Sequence, residues 1–106
     1  MLISSGGTMD GAAVKLLGDP LRARIVRLLA SEQMCTCHLI EETGARQPTI
    51  SHHLKILREA GFVTAEPSGR FTYYRLSPQA IRELASSLLD LADQADRAQR
   101  LRRPCD

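Results

Sequence analysis

The ten residues RQPTISHHLK, positions 46–55, decide the reading of this chain. Pro48 follows Gln47 as an opener at the first position of a helix, where a missing N–H costs nothing. Ile50, Leu54 and Leu57 then recur at helical spacing, with Gly61 on the same line. One face is thereby apolar, and His53 borders it. Gln47, Thr49, Ser51, His52, Lys55 and Arg58 fall largely elsewhere. A helix with one buried face and a second face of hydrogen-bonding side chains is what reading base edges requires. Gln pairs with adenine edges, and Ser and Thr reach bases or phosphates.

The flanks give this helix a setting. Upstream, Cys37 to Thr43 reads as a short helix with Leu39 and Ile40 as its apolar residues, stopped at Gly44. Only Ala45 and Arg46 separate that stop from the next helix, and helix, short glycine turn, helix is a DNA-binding arrangement. Downstream, Gly61 ends the helix. Phe62–Glu66 and Phe71–Leu76 are rich in aromatic and β-branched residues, with Pro67-Ser68-Gly69 as the turn between them. A hairpin directly after the second helix is a wing, and Arg70 just past its turn could reach the minor groove or backbone.

Further out, Asp19 and Pro20 cap and open a helix carrying Leu21, Ile25, Leu28 and Leu29, ending near Ser31 to Gln33. Ala12 to Leu17 suggest a short helix before it. Ser77-Pro78 opens a last helix with Ile81, Leu84, Ala85, Leu88, Leu91 and Ala92 as a stripe long for so small a domain. Such a stripe is either core or, with the first helix, a homodimer interface, and a two-fold protein matches a two-fold operator. The expected organisation is a lead over 1–11, a winged helix-turn-helix domain over 12–98 (four helices, a hairpin, a helix) and a basic tail over 99–106. The fold class is mainly α with a small β-hairpin.

Composition sets bounds. The chain has 106 residues, of which 43% are hydrophobic and 25% charged, at a net charge of +2. That suits one soluble domain with a modest core. No apolar run approaches the roughly 20 residues that span a bilayer, and the first eleven residues lack the pattern of a secretion signal. Cytoplasmic residence is the expectation. Basic residues concentrate locally, as Arg46, Lys55, Arg58, Arg70 and Arg75, and again as Arg97, Arg100, Arg102 and Arg103. Such patches suit phosphate binding as well as mere solvation. A Gly-rich phosphate loop, a paired-carboxylate cleft and a nucleophile with its base are all missing, so no catalytic reading is supported.

Three cysteines, Cys35, Cys37 and Cys105, are an odd number, which argues against a disulfide framework and leaves thiols for ions or redox chemistry. In an ideal helix residues i and i+2 project about 200° apart. In an extended lead-in they fall on one side. At a helix start the dipole favours thiolate, and soft thiolates select soft ions. The alternatives are buried apolar filler and a redox pair. His52 and His53, about 100° apart on a helix, cannot readily chelate together.

The run from Leu17-Gly-Asp-Pro-Leu-Arg22 through residues 46–61 to Tyr73-Tyr-Arg-Leu76 resembles the ArsR–SmtB family of bacterial metal-sensing repressors, over about residues 12 to 95. The resemblance implies a homodimer that represses until an inducer binds, with the helix from Pro48 to Ala60 in the major groove and the terminal helices as dimer interface. DNA-binding residues would then be Gln47, Pro48, Thr49, Ser51, His52, Lys55 and Arg70, on double-stranded operator DNA. Met34-Cys-Thr-Cys-His-Leu39 is similar to the arsenic- and cadmium-sensing branch, which implies arsenite or another thiophilic ion on Cys35 and Cys37. Where some arsenite sensors carry a third cysteine this chain has Ile40. Cys105 could supply the third sulfur, from either subunit, or His38 a nitrogen that would favour zinc or cadmium. The family's other site, on the last helix, needs histidines; this helix has Asp90, Asp93 and Asp96 but no His, so that zinc site is expected to be missing.

Overall fold

The computed structural model describes residues 11–105. The order is α1 (Gly11–Gly18), α2 (Pro20–Ser31), β1 (Met34–Cys35), α3 (Thr36–Thr43), α4 (Gln47–Glu59), β2 (Val63–Ser68), β3 (Phe71–Leu76) and α5 (Pro78–Arg97). The expected lead falls, up to residue 10, outside the described residues, and Gly11 already belongs to α1. Beyond Arg97 the backbone to Cys105 has no regular structure and is exposed.

Local chemistry sets the helix ends. Asp19 Oδ2 accepts the Arg22 N–H at 2.9 Å, and Pro20 is the first residue of α2. Between α3 and α4, Gly44 takes a φ of 75° and donates its N–H to the Ile40 carbonyl at 2.8 Å. A Cβ there would meet nothing within 4 Å, so the demand for glycine is conformational. Thr43 Oγ1 tightens the turn by donating to the Leu39 carbonyl (2.7 Å) and accepting the Ala45 N–H (3.1 Å). α4 begins one residue earlier than its proline suggests: Arg46 is the N-cap and Pro48 the second residue. This is equally permissive, because the first turn of a helix has no internal use for its N–H groups.

The core gathers one face from nearly every element. Ile25, Leu39, Ile50, Leu54 and Leu57 are fully buried, and Leu16, Leu29, Met34, Phe62 and Val63 complete the cluster. Each such side chain contributes about 1.5–3 kcal/mol on burial. α4 is therefore clamped by its apolar face, with its polar face left outward. Arg24 adds a strut, donating from Nη2 to the Glu42 carbonyl at 2.6 Å and tying α2 to the end of α3.

The wing differs from the expected hairpin in two ways. It is a three-stranded antiparallel sheet of order β1-β3-β2. The third strand is Met34–Cys35, pairing Met34 with Tyr74 and Cys35 with Tyr73. The hairpin ladder also continues to Ser68↔Phe71, so Pro67 lies within β2, opposite Thr72. β2 is an edge strand, where a residue without an N–H is tolerated. The turn is just Gly69-Arg70, with Gly69 at φ 62°. A positive φ at the first of two turn residues suits the right-handed twist of the strands.

Ser77 caps α5, accepting the Ala80 N–H at 3.2 Å. Ala80, Ile81 and Leu84 pack on the core. The second half of the stripe does not: Leu88 is 46%, Leu89 65% and Leu91 38% exposed.

Candidate nucleic-acid interface and thiol pair

The burial of Ile50, Leu54 and Leu57 turns the rest of α4 outward. Gln47, Pro48, Thr49, Ser51, His52 and Lys55 are all exposed. No acidic side chain stands in the first turn, so the positive end of the helix dipole is unopposed there. Arg70 is exposed at the tip of the wing. The protein thus presents a polar helix face and a cationic loop on a rigid support, the two parts with which a winged helix grips a duplex.

His53 does not join that face. Its side chain is 12% exposed. Arg22 Nη1 donates to its Nδ1 at 3.2 Å, while its Nε2 lies 4.0 Å from Asp19 Oδ2. A guanidinium only donates, so Nδ1 carries the lone pair and Nε2 the proton. Arg22 Nε also donates to the Leu16 carbonyl at 2.8 Å, linking α1, α2 and α4 through one side chain. Burial, with Arg22 and His52 acting in the same sense, holds His53 below the usual histidine pKa, against the opposing pull of Asp19.

The cysteines lie where β1 becomes α3. Cys35 is the N-cap, extended at φ −86° and ψ 171°, and 4% exposed; Cys37 is exposed in the first turn of α3. This bend brings Cys35 Sγ and Cys37 Sγ to 2.7 Å, so both sulfurs do share a side even though Cys37 is already helical. His38 completes a reciprocal cap. Its Nδ1 accepts the Cys35 N–H at 3.3 Å and lies 3.3 Å from Cys35 Sγ, whose side chain faces the His38 backbone N–H. Burial pushes the Cys35 thiol up, but the hydrogen bond from Cys37 and the backbone N–H groups of the helix start outweigh it, and its pKa is lowered. Cys37 is raised, first by its hydrogen bond with Cys35 and then by desolvation.

These donors suit a soft ion in type and proximity, with two sulfurs side by side. They do not form a complete cage. Among the described residues no group of three or more His, Cys, Asp or Glu side chains is arranged to hold an ion. His38 Nδ1 already serves the helix cap. Cys105 is exposed in the tail and is not among the residues around the pair. What surrounds the pair is an open depression of about 330 Å³, lined also by Ile40, Gln47, Arg70, Phe71 and Tyr74. The thiols, the first residue of α4 and the wing tip therefore face a common space.

Sequence reasoning singled out the cysteines, Gln47 and Arg70. It did not identify β1, or Phe71 and Tyr74 as neighbours of the thiols. A two-residue strand has no periodicity to detect, and β3, which carries Phe71 and Tyr74, comes beside the thiols by its pairing with β1.

A buried-backed reading helix, a glycine turn and a wing define a winged helix-turn-helix DNA-binding regulator. The family model described as "Bacterial regulatory protein, arsR family" matches residues 19–65. The chain is 39% identical over 79 residues to the arsenical resistance operon repressor of Escherichia coli (strain K12), covering 74% of this chain and 67% of that protein. It is 44% identical over 71 residues to the uncharacterized HTH-type transcriptional regulator MJ1325 of Methanocaldococcus jannaschii, covering 66% and 80%. A solved structure described as a possible transcriptional regulator for arsenical resistance superposes with a TM-score of 0.65 at 36% identity, over 81% of this chain and 95% of that one. The chain belongs to the ArsR–SmtB family: it is a DNA-binding transcriptional repressor and not an enzyme.

Proposed function

We propose that this repressor senses a metalloid: a homodimer grips operator DNA, and arsenite or another thiophilic ion on Cys35 and Cys37 releases it. The observation that carries the reading is the 2.7 Å contact between two thiols at the N-terminus of α3. Two thiolates on one ion, at bond lengths near 2.3 Å, stand about 3.7 Å apart if the ion is tetrahedral and somewhat closer on pyramidal trivalent arsenic. The pair must therefore open on binding, by roughly 1 Å for a tetrahedral ion. Cys35 is held in the sheet by its pairing with Tyr73, so the motion falls on the exposed Cys37 and the start of α3. α3 in turn positions α4 through the Gly44 turn. An ion that binds the opened form better than the DNA-gripping form shifts the population toward release.

In this reading Gln47, Pro48, Thr49, Ser51, His52 and Lys55 meet the duplex in the major groove and Arg70 meets it beside the wing. Val14 on α1 and Leu88, Leu89 and Leu91 on α5, all exposed, supply the apolar surface for dimerisation. For arsenite, which prefers three sulfurs, Cys105 of either subunit is the candidate third. The protein works in the cytoplasm beside the DNA it controls. The test is fluorescence anisotropy on the duplex upstream of its own gene, titrated with arsenite, antimonite, cadmium, lead and zinc. Release by the soft ions at near-stoichiometric addition supports the reading, and indifference to all five removes it. The same contact would also serve a thiol redox sensor. In that case peroxide releases the DNA and mass spectrometry finds a disulfide without bound metal.

A further inference from the structure

We propose that this chain carries a ligand site separate from the thiol pair, and that it takes a free α-amino acid with an apolar side chain, of leucine or phenylalanine type. The site is an open depression of about 400 Å³ where the end of α2, the end of β3 and the start of α5 meet. That volume suits a small molecule, whose sites are mostly apolar with a few placed polar groups. Here Leu29, Leu76 and Ile81, buried or half-buried, supply an apolar floor. Glu32, Arg75 and Arg82 are the exposed charged groups around it.

These charges are not used elsewhere. Among the described residues, none of the three side chains makes a hydrogen bond or an ion pair. Arg75 stands opposite Thr64 in the β2–β3 ladder, so it has no acid across the sheet. On α5 the positions three and four away from Arg82 are Pro78, Gln79, Ala85 and Ser86, none of them acidic. The neighbouring acid, Glu83, accepts from the Gln79 amide at 3.1 Å. Two guanidiniums from different elements therefore border one apolar floor with their donors free.

An amino acid matches this set group by group. Its carboxylate accepts paired N–H bonds from a guanidinium fork. Its ammonium suits Glu32, the C-cap of α2, where the last turn has no basic residue to oppose the negative end of the helix dipole. Its side chain covers Leu29, Leu76 and Ile81. Exposed ion pairs are individually weak, so the two charged ends and the apolar contact act together. Selectivity comes from mismatch. An acid without the amine brings its charge beside an unanswered Glu32, and an amine without the carboxylate faces two arginines. The bound ligand ties α2, which runs on into β1, to the base of the wing and to α5.

The test uses the whole reduced protein with leucine, phenylalanine, leucinamide, isocaproate and glycine. Titrations followed by backbone amide NMR shifts give both the affinity and the place of binding. We expect leucine and phenylalanine to shift the amides over 29–33 and 75–82. Leucinamide, isocaproate and glycine, which lack the carboxylate, the amine and the side chain in turn, should each bind at least about tenfold more weakly. Arg82→Gln should weaken leucine several-fold, and Glu32→Gln should bring isocaproate level with leucine. Both positions are exposed, so the melting temperature of either variant should stay at the wild-type value. Isocaproate binding the wild type as tightly as leucine, shifts centred elsewhere, or no shift at millimolar leucine overturns the proposal. So do shifts over 29–33 and 75–82 that appear on dilution alone, because a second copy of this chain would then cover the face.

Discussion

Arg22 Nη1 donates to His53 Nδ1 at 3.2 Å, and through this contact the start of α2 holds the inner edge of α4. The bond exists only while His53 is neutral, because a protonated Nδ1 would turn an N–H against the guanidinium. On its other side His53 faces Asp19 at 4.0 Å, with His52 next to it on α4.

This contact predicts a pH dependence of stability. The folded pKa of His53 is lowered, so the unfolded chain binds its proton first as pH falls. Stability therefore drops with pH below the ordinary value near 6.5, until the folded state also protonates, and is flat above it. Urea midpoints from about pH 5 to pH 8 would show the slope, and His53→Gln should flatten it. A His53→Gln variant with the full wild-type slope would assign the effect to another group.

Cys35→Ser and Cys37→Ser should retain DNA binding and lose ion-induced release. Folding should survive both. Cys37 is exposed, and serine at position 35 is a better N-cap for the His38 N–H, so stability should stay within about 1 kcal/mol. Thermal melts check the first statement and anisotropy with arsenite the second.

Gln47→Ala and Ser51→Ala should each weaken specific binding by roughly 1–3 kcal/mol for every base edge the side chain reads. Both residues are exposed, so the melting temperature should not move. Lys55→Ala should instead lower affinity for all sequences alike and reduce the salt slope by about one unit. Gel-shift titrations on specific and scrambled duplexes at several salt concentrations separate the two classes.

Leu88→Glu with Leu91→Glu should give a folded monomer. These side chains are 46% and 38% exposed, so neither holds the core together. Operator affinity should fall on the order of a hundredfold as the second half-site goes unfilled. Sedimentation velocity reports the mass, and an unchanged dimer would move the interface elsewhere.

Much of this architecture is legible in the amino-acid order because single residues act locally. Asp19-Pro20, Gly44, Gly61 and Ser77-Pro78 punctuate the helices by their own backbone chemistry, and Ile50, Leu54 and Leu57 show which side of α4 is buried. The parts that escape such reading depend on distant pairing. Met34–Cys35 becomes a strand only because β3 lies alongside. Pro67 reads as a turn residue until its strand proves to be an edge. The thiol pair is visible as a spacing, but its closeness depends on the extended N-cap at Cys35. The aromatic wall opposite belongs to a segment more than thirty positions away.

The two-residue strand at Met34–Cys35 has a consequence for engineering. It stitches the thiol pair to the wing directly, while the tightly packed interior, which buries Met34 and Cys35 but leaves Cys37 and Phe71 exposed, carries the load of folding. Variants at those two exposed positions can be screened for new inducers on an unaltered scaffold, so the molecule lends itself to conversion into a family of genetically encoded reporters.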